Sequence, residues 1–483
     1  MKISIDLDSR RVRRVLGAAA VAAVFYPGWL LASQLSGLVV FSPGETIRAA
    51  DFNTNFQLIE TALNDADTRV TTVTNQVAPL PGQVTTLQSQ VASLQAQNAS
   101  LLGRLNTLQA FTLAGFPDPS LGPKGDVKSS LVEGTVYGVT TDSSARILVV
   151  GPATSGEMYV ARFTNGSLDA TFGTNGIVLG GHSPSSGSAV LVDAMSRVLV
   201  VGSSTSSLDL WRFDASGNPD AAFGTAGFAS VAGASVTPAS VALDAGGRIF
   251  VSGSSGSPAH VTVWCFTSAG APDTTFNGTG NLVDPTGTFG VGVAIDSGGN
   301  VVVSGGTATN NMGVWRYTAA GAVDATFNGT GRYIDALAAT PSFASGVAID
   351  GTGRIIAAGS SGSAMATWRL KATGAIDATF GAGGLVTSVG IGAFADAVGV
   401  AVDAAGRILV GGQSFSGFPT VWRISAQGQL DPSFGAGTGF AVNQDLFVNA
   451  AQPAFTVDPL GRPVIVGGVN VVGGEAVGLY RFD

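Results

Sequence analysis

Aspartate is the residue through which this chain could most readily do chemistry, and its aspartates recur. One set stands at Asp142, Asp193, Asp244, Asp296, Asp350, Asp403 and Asp458. Four positions after each comes a basic residue, Arg146, Arg197, Arg248, Arg354, Arg407 or Arg462, with Asn300 as the exception. A second set opens a tight Asp-x-x-Phe element followed by Gly, as in Leu168-Asp169-Ala170-Thr171-Phe172-Gly173 and Ile376-Asp377-Ala378-Thr379-Phe380-Gly381. Carboxylates repeated in this way could contact a ligand. Recurrence in every repeat gives them a structural duty first, because a turn Asp accepts bonds from the backbone amides that follow it.

An aromatic-Arg-apolar triplet precedes each Asp-x-x-Phe element, best seen in Trp211-Arg212-Phe213, Trp315-Arg316-Tyr317 and Trp422-Arg423-Ile424. A half-buried arginine needs a partner, so Arg423 is expected to pair with Asp431, and its counterparts likewise. Ala161 replaces the aromatic in the first repeat and Cys265 the arginine in the third, which would leave Asp273 without an arginine of its own.

What lies off the repeat is sparse. Asp284 and Asp335 follow Phe276 and Phe327 at the same spacing. If they gathered with Asp396 within about 10 Å at one mouth, they could bind calcium or serve as acid and base on a polysaccharide; otherwise they are solvated loop acids. His182 and His260 fall in different repeats and read as loop residues, so neither a metal cluster nor a Ser-His-Asp triad can be assembled. Cys265 reads as a small buried filler on a strand rather than a reactive thiol. The glycines after the second apolar run, such as Gly411-Gly412, precede no helix and so cannot cradle phosphate. Catalytic, metal and cofactor residues are therefore read as none, and the binding residues as unknown.

The elements that position these residues follow from the period. From residue 137 the pattern returns about every 52 residues: apolar strand, Asp-x-x-Gly-Arg turn, second apolar strand ending in Gly, triplet strand, Asp-x-x-Phe element. Runs such as Ile408-Leu409-Val410 and Val301-Val302-Val303 are apolar without alternation, as strands covered on both faces must be. Seven four-stranded repeats of this kind predict an all-β, seven-bladed β-propeller over residues 111–483. The seventh triplet, Tyr480-Arg481-Phe482, runs into Asp483, leaving its blade without a fourth strand. Pro117-Asp118-Pro119-Ser120-Leu121-Gly122 matches Leu430-Asp431-Pro432-Ser433-Phe434-Gly435 one repeat out of place, so residues near 126–134 are expected to close the ring and remove two sheet edges.

Ahead of the repeats lies a helical segment, and ahead of that an export segment. Phe56, Leu63, Val70, Val77, Val84, Val91, Asn98 and Leu105 occupy heptad position a, with Ile59, Ala66, Val73, Leu80, Leu87, Leu94, Leu101 and Leu108 at d. One register over residues 56–110 predicts a coiled-coil stalk, broken near Pro79 and Pro81, with Asn98 setting strand number and Asp51 as a cap. The assembly is expected to be a homotrimer or homodimer. Residues 42–55 form a neck. In 1–41, Arg10, Arg11, Arg13 and Arg14 precede the uncharged stretch from Val15 to Leu31, the pattern of a signal peptide or of a membrane anchor helix if uncleaved.

The Leu-Asp-x-Thr-Phe-Gly elements and Asp-x-x-Gly-Arg turns resemble the delta-60 repeat of bacterial surface and secreted proteins, over roughly residues 115–483. The resemblance implies a propeller-like fold and no catalytic motif. Residues Phe41 to Phe56 resemble a neck found before coiled coils in phage tail-fibre-like proteins, where the helices form trimers.

Composition narrows the partners. A net charge of -8 with 12% charged residues disfavours nucleic acid, and one cysteine permits no intrachain disulfide. The expected function is non-enzymatic: an envelope-bound or exported binding or scaffold protein presenting a propeller head to a protein or glycan. The alternatives are an extracellular propeller hydrolase or lyase acting on polysaccharide, and a purely structural spacer or coat protein.

Overall fold

The structure, a computed structural model, describes residues 49–112, 118–121, 126–129, 135–233, 235–414, 417–443, 447, 453–471 and 474–483. The signal or anchor segment and the first part of the neck lie outside these residues. The chain divides into two compact units, Met1–Arg104 and Leu105–Asp483.

Two helices occupy the first part, α1 over Ala49–Val77 and α2 over Leu80–Thr112. The break between them falls on Ala78 and Pro79, where proline has no amide to donate. Pro81 is accommodated within the first turn of α2, whose amides have no partner inside the helix in any case. Asp51 lies inside α1, which begins at Ala49, and so does not stand at the cap position expected of it. Among the described residues no helix is long and apolar enough to cross a membrane.

Seven antiparallel sheets form the second unit. Blade 1 comprises Gly138–Thr141, Ile147–Pro152, Met158–Thr164 and Ile177–Leu179, from the inside outward. Blades 2 to 6 open on Ser185–Val192, Thr237–Leu243, Phe289–Ile295, Ser342–Ile349 and Ala395–Val402. Blade 7 takes Ala454–Val457, Pro463–Val471 and Gly474–Arg481, and its outer strand is Asp126–Ser129. Asp126 pairs with Tyr480 and Ser129 with Val477, which is the closure expected from the incomplete seventh repeat. The innermost strands touch in turn around the ring, with that of blade 7 meeting that of blade 1.

Second strands such as Ile147–Pro152 and Val301–Gly306 are buried along almost their whole length. Each is sandwiched between neighbouring blades, and every fully buried Val or Ile contributes about 1.5–3 kcal/mol. The apolar clusters therefore straddle blade boundaries: Leu148 and Val150 of blade 1 pack with Trp211 of blade 2, and Ile147 and Tyr159 pack with Val464 and Leu479 of blade 7.

The glycine at the end of the second strand has a steric reason. The first strand bulges opposite it, between Gly187 and Ala189 in blade 2 for example. That bulge drives a carbonyl inward, so a Cβ on Gly202 would stand 1.9 Å from the Ser186 oxygen.

Candidate functional site

The recurrent aspartates and arginines build one repeated structural device. In each turn, Oδ1 of the Asp accepts the amides two and four residues on while Oδ2 accepts the Arg side chain; Asp193 bonds Met195 and Arg197 N at 2.9 Å and Arg197 Nε at 2.7 Å. Where Asn300 replaces the arginine, its amide nitrogen makes the same bond to Asp296 at 3.0 Å.

The expected pairing of triplet Arg with Asp-x-x-Phe carboxylate is present, at 2.8 Å for Arg162 with Asp169 and 2.7 Å for Arg423 with Asp431. The same guanidinium stacks over the element's phenylalanine, Arg162 at 4.5 Å from the Phe172 centroid. It also reaches across to the next blade, where Arg162 Nη1 donates to the Ala215 carbonyl at 2.6 Å.

Both departures from the triplet are compensated. Cys265 leaves no triplet arginine in blade 3, yet Asp273 is not without one, contrary to expectation: the turn residue Arg248 reaches it at 3.8 Å and donates to the Ala319 carbonyl of blade 4 at 3.0 Å. Arginine is long enough to serve from the neighbouring strand. In blade 1 the aromatic missing at Ala161 is supplied by Tyr159, two residues earlier on the same strand face, and both lie in one buried cluster. In blades 4 and 7 the triplet ring covers that earlier position, Trp315 lying over Gly313 and Tyr480 over Gly478.

The off-pattern groups do not converge. Asp284 ends the outer strand of blade 3, Asp335 follows that of blade 4, and Asp396 sits on the inner strand of blade 6. The first two are not solvated loop acids, being 7% and 3% exposed. Asp284 accepts Thr286 N at 2.9 Å and the Tyr317 hydroxyl at 3.0 Å. Asp335 accepts Leu337 N at 3.1 Å and Ala338 N at 2.9 Å. Loops joining adjacent blades pack against the next blade's aromatic strand, and that packing buries them. His182 lies in an exposed loop and stacks on Phe228 at 3.9 Å, whereas His260 opens a strand. Cys265 is fully buried, and burial above all pushes its thiol up to about 12. Among the described residues no group of three His, Cys, Asp or Glu could hold a metal ion.

Every blade contributes to the central channel, a cavity of about 480 Å³. Three consecutive residues from each innermost strand line it, those five, four and three places before the turn aspartate, together with Phe289 and Phe343. The middle position is always small: Gly138, Ala189, Ser240, Gly292, Gly346, Gly399 and Ala454. Inner strands crowd here, and a Cβ on Gly292 would stand 2.8 Å from Val347 N. This run of small residues, invariably four before the turn Asp, is the sequence signal that marks the channel.

The two rims differ in charge. The Asp-x-x-Gly-Arg turns, triplet arginines and Asp-x-x-Phe elements share one rim. The loops that join each outer strand to the next inner strand share the other, and these contain no lysine or arginine. Geometry and repeat together define the class: the chain is a seven-bladed β-propeller repeat protein.

More particularly, residues 351–380 and 406–434 match a beta-propeller domain of unknown function (DUF5122). Each stretch runs from the turn of one blade to the Phe of its Asp-x-x-Phe element. Similar solved structures include a streptogramin B lyase, at 12% identity and TM-score 0.48 over 74% of this chain and 97% of that one. A virginiamycin B lyase from Staphylococcus aureus is similar at 10% identity and TM-score 0.45, over 74% and 98%. The polysaccharide lyase Uly1 is similar at 8% identity and TM-score 0.42, over 78% and 95%. Comparison with curated proteins finds no match.

Proposed function

We propose that this chain is a non-enzymatic binding or scaffold protein of the bacterial envelope or exterior, a delta-60-type propeller head on an oligomeric coiled-coil stalk. One observation carries the reading. The large apolar side chains of the heptad seam are exposed in the single chain, from Phe56 at 53% through Leu87 at 59% to Leu94 at 63%. A stripe of this kind is stable in water only when covered, and parallel copies of the same helix cover it in register. In that arrangement Gln83 and Gln90, before successive a positions, face Gln88 and Gln95 of a neighbour. The tail-fibre-like neck favours three copies over two.

The arginine cluster before Val15 favours delivery across the cytoplasmic membrane. Asp284 and Asp335, the carboxylates that a hydrolase would need free, are engaged in holding blades together. The rim loops, rich in Ser, Thr, Gly and Ala, suit a neutral or polar partner, protein or glycan, and several heads on one stalk would add avidity.

Sedimentation equilibrium of the purified full chain tests the assembly. The expected mass is three chains, falling to one in the Leu87→Asp, Leu94→Asp variant while the β circular dichroism persists. A monomeric wild-type chain would sink the stalk reading.

A further inference from the structure

We infer that the central cavity is a binding site for an uncharged, ring-bearing small molecule. Its volume of about 480 Å³ falls within the range of about 300–1,000 Å³ usual for small-molecule sites. Its lining offers no charged and no amide side chain; the side-chain polar groups are the hydroxyls of Tyr137, Ser188, Ser240 and Ser345, beside the backbone of the innermost strands. A charged ligand would find no counter-charge on such walls, whereas an uncharged ring with one or two polar atoms would be accommodated.

The sevenfold lining is also broken in a directed way. At the position seven before the turn aspartate, blades 1 to 3 carry Thr135, Ser186 and Thr237, and blade 6 carries Asp396, buried and outside the cavity lining, so that position needs no aromatic for folding. Blades 4 and 5 instead place Phe289 and Phe343 there, edge to face with centroids 6.2 Å apart, and both line the cavity. Phe289 is 37% exposed, an apolar ring left facing solvent at the mouth. Covering such rings is favourable, and the edge-to-face pair offers a third ring a ready partner. Anions find no counter-charge, since the loops of this rim hold no lysine or arginine. The inference depends neither on the stalk nor on the rim partner proposed above.

The test titrates the full chain with the neutral fluorophore N-phenyl-1-naphthylamine and with its anionic relative 1-anilinonaphthalene-8-sulfonate. One saturable site per chain is expected for the neutral probe, with the anion at least tenfold weaker. Ser345→Trp, which fills the cavity, and Phe289→Ser, at the exposed mouth, should each weaken the neutral probe at least tenfold with circular dichroism unchanged. Absence of saturable binding would overturn the inference. So would equal affinity for the anion, or binding that survives both substitutions, which would place the probe elsewhere, for example on the helical seam.

Discussion

Arg481 donates from Nε to the Asp118 carboxylate at 2.6 Å, across 363 residues of sequence. Arg462 adds a second bond to the same oxygen at 2.8 Å. In blade 6 the same pair, Arg423 with Asp431, is made by residues eight apart. The ring thus closes with the device that every other blade except the third uses locally, supplied here from the far end of the chain.

Asp118→Asn should cost about 3–5 kcal/mol, because it leaves the buried Arg481 without its counter-charge. Urea unfolding followed by tryptophan fluorescence measures the loss. Asp118→Asn should also expose residues 118–121 to protease, whereas Asp431→Asn should not. An unchanged unfolding midpoint would show that closure rests on the strand pairing alone.

Acid should weaken the propeller only at low pH. Burial is the largest influence on Asp118, Asp169, Asp324, Asp377 and Asp431 and pushes them up, but bonds from the Ser or Thr two residues on and from the paired arginine outweigh it. All five carboxyls therefore sit below the ordinary value of 3.8. A depressed folded value means that the stabilisation is complete above the unfolded value and is lost as pH falls through the folded one. The urea midpoint should stay level from about pH 7 to about pH 5 and decline below about pH 4. A marked decline above pH 5 would contradict this assignment.

Tyr159→Ala should destabilise by about 3–5 kcal/mol, since no other aromatic fills blade 1 at that level. The double change Tyr159→Gly with Ala161→Trp recreates the arrangement of Gly313 and Trp315 and should recover most of that loss. A double variant as unstable as Tyr159→Ala would refute the compensation.

Gly202→Ala places a methyl 1.9 Å from the Ser186 oxygen, and a backbone carbonyl held in a bulge cannot swing away. The expected cost is about 1–3 kcal/mol in unfolding free energy. Gly351→Ala, which meets nothing within 4 Å, is the control and should shift stability by no more than about 0.5 kcal/mol.

Cys265 should resist 5,5′-dithiobis(2-nitrobenzoate) in the native chain at neutral pH and react fully in urea, because it is buried and its thiol is pushed up to about 12. Rapid native labelling would show the third blade to be open.

Much of this fold could be read residue by residue. The Asp-x-x-Gly-Arg turn and the Asp-x-x-Phe element close their hydrogen bonds within a few positions, so Asp193 with Arg197 and Asp431 with Ser433 are complete in the local sequence. The closing strand was legible for the same reason, because Asp118-Pro119-Ser120 repeats Asp431-Pro432-Ser433 at the place where the seventh repeat lacks it.

Other relationships run sideways between blades, and no local pattern encodes them. The reach of Arg248 to the Ala319 carbonyl, the burial of Asp284 under Tyr317 and the T-shaped meeting of Phe289 with Phe343 all depend on which face each repeat turns to its neighbour. The sequence by itself determined the period, the seven blades and the missing strand, since each rests on short-range bonding and strand burial. Only the tertiary structure decided which carboxylates stay apart and which rings line the cavity, because those distances are set when residues some fifty apart are packed side by side around one axis.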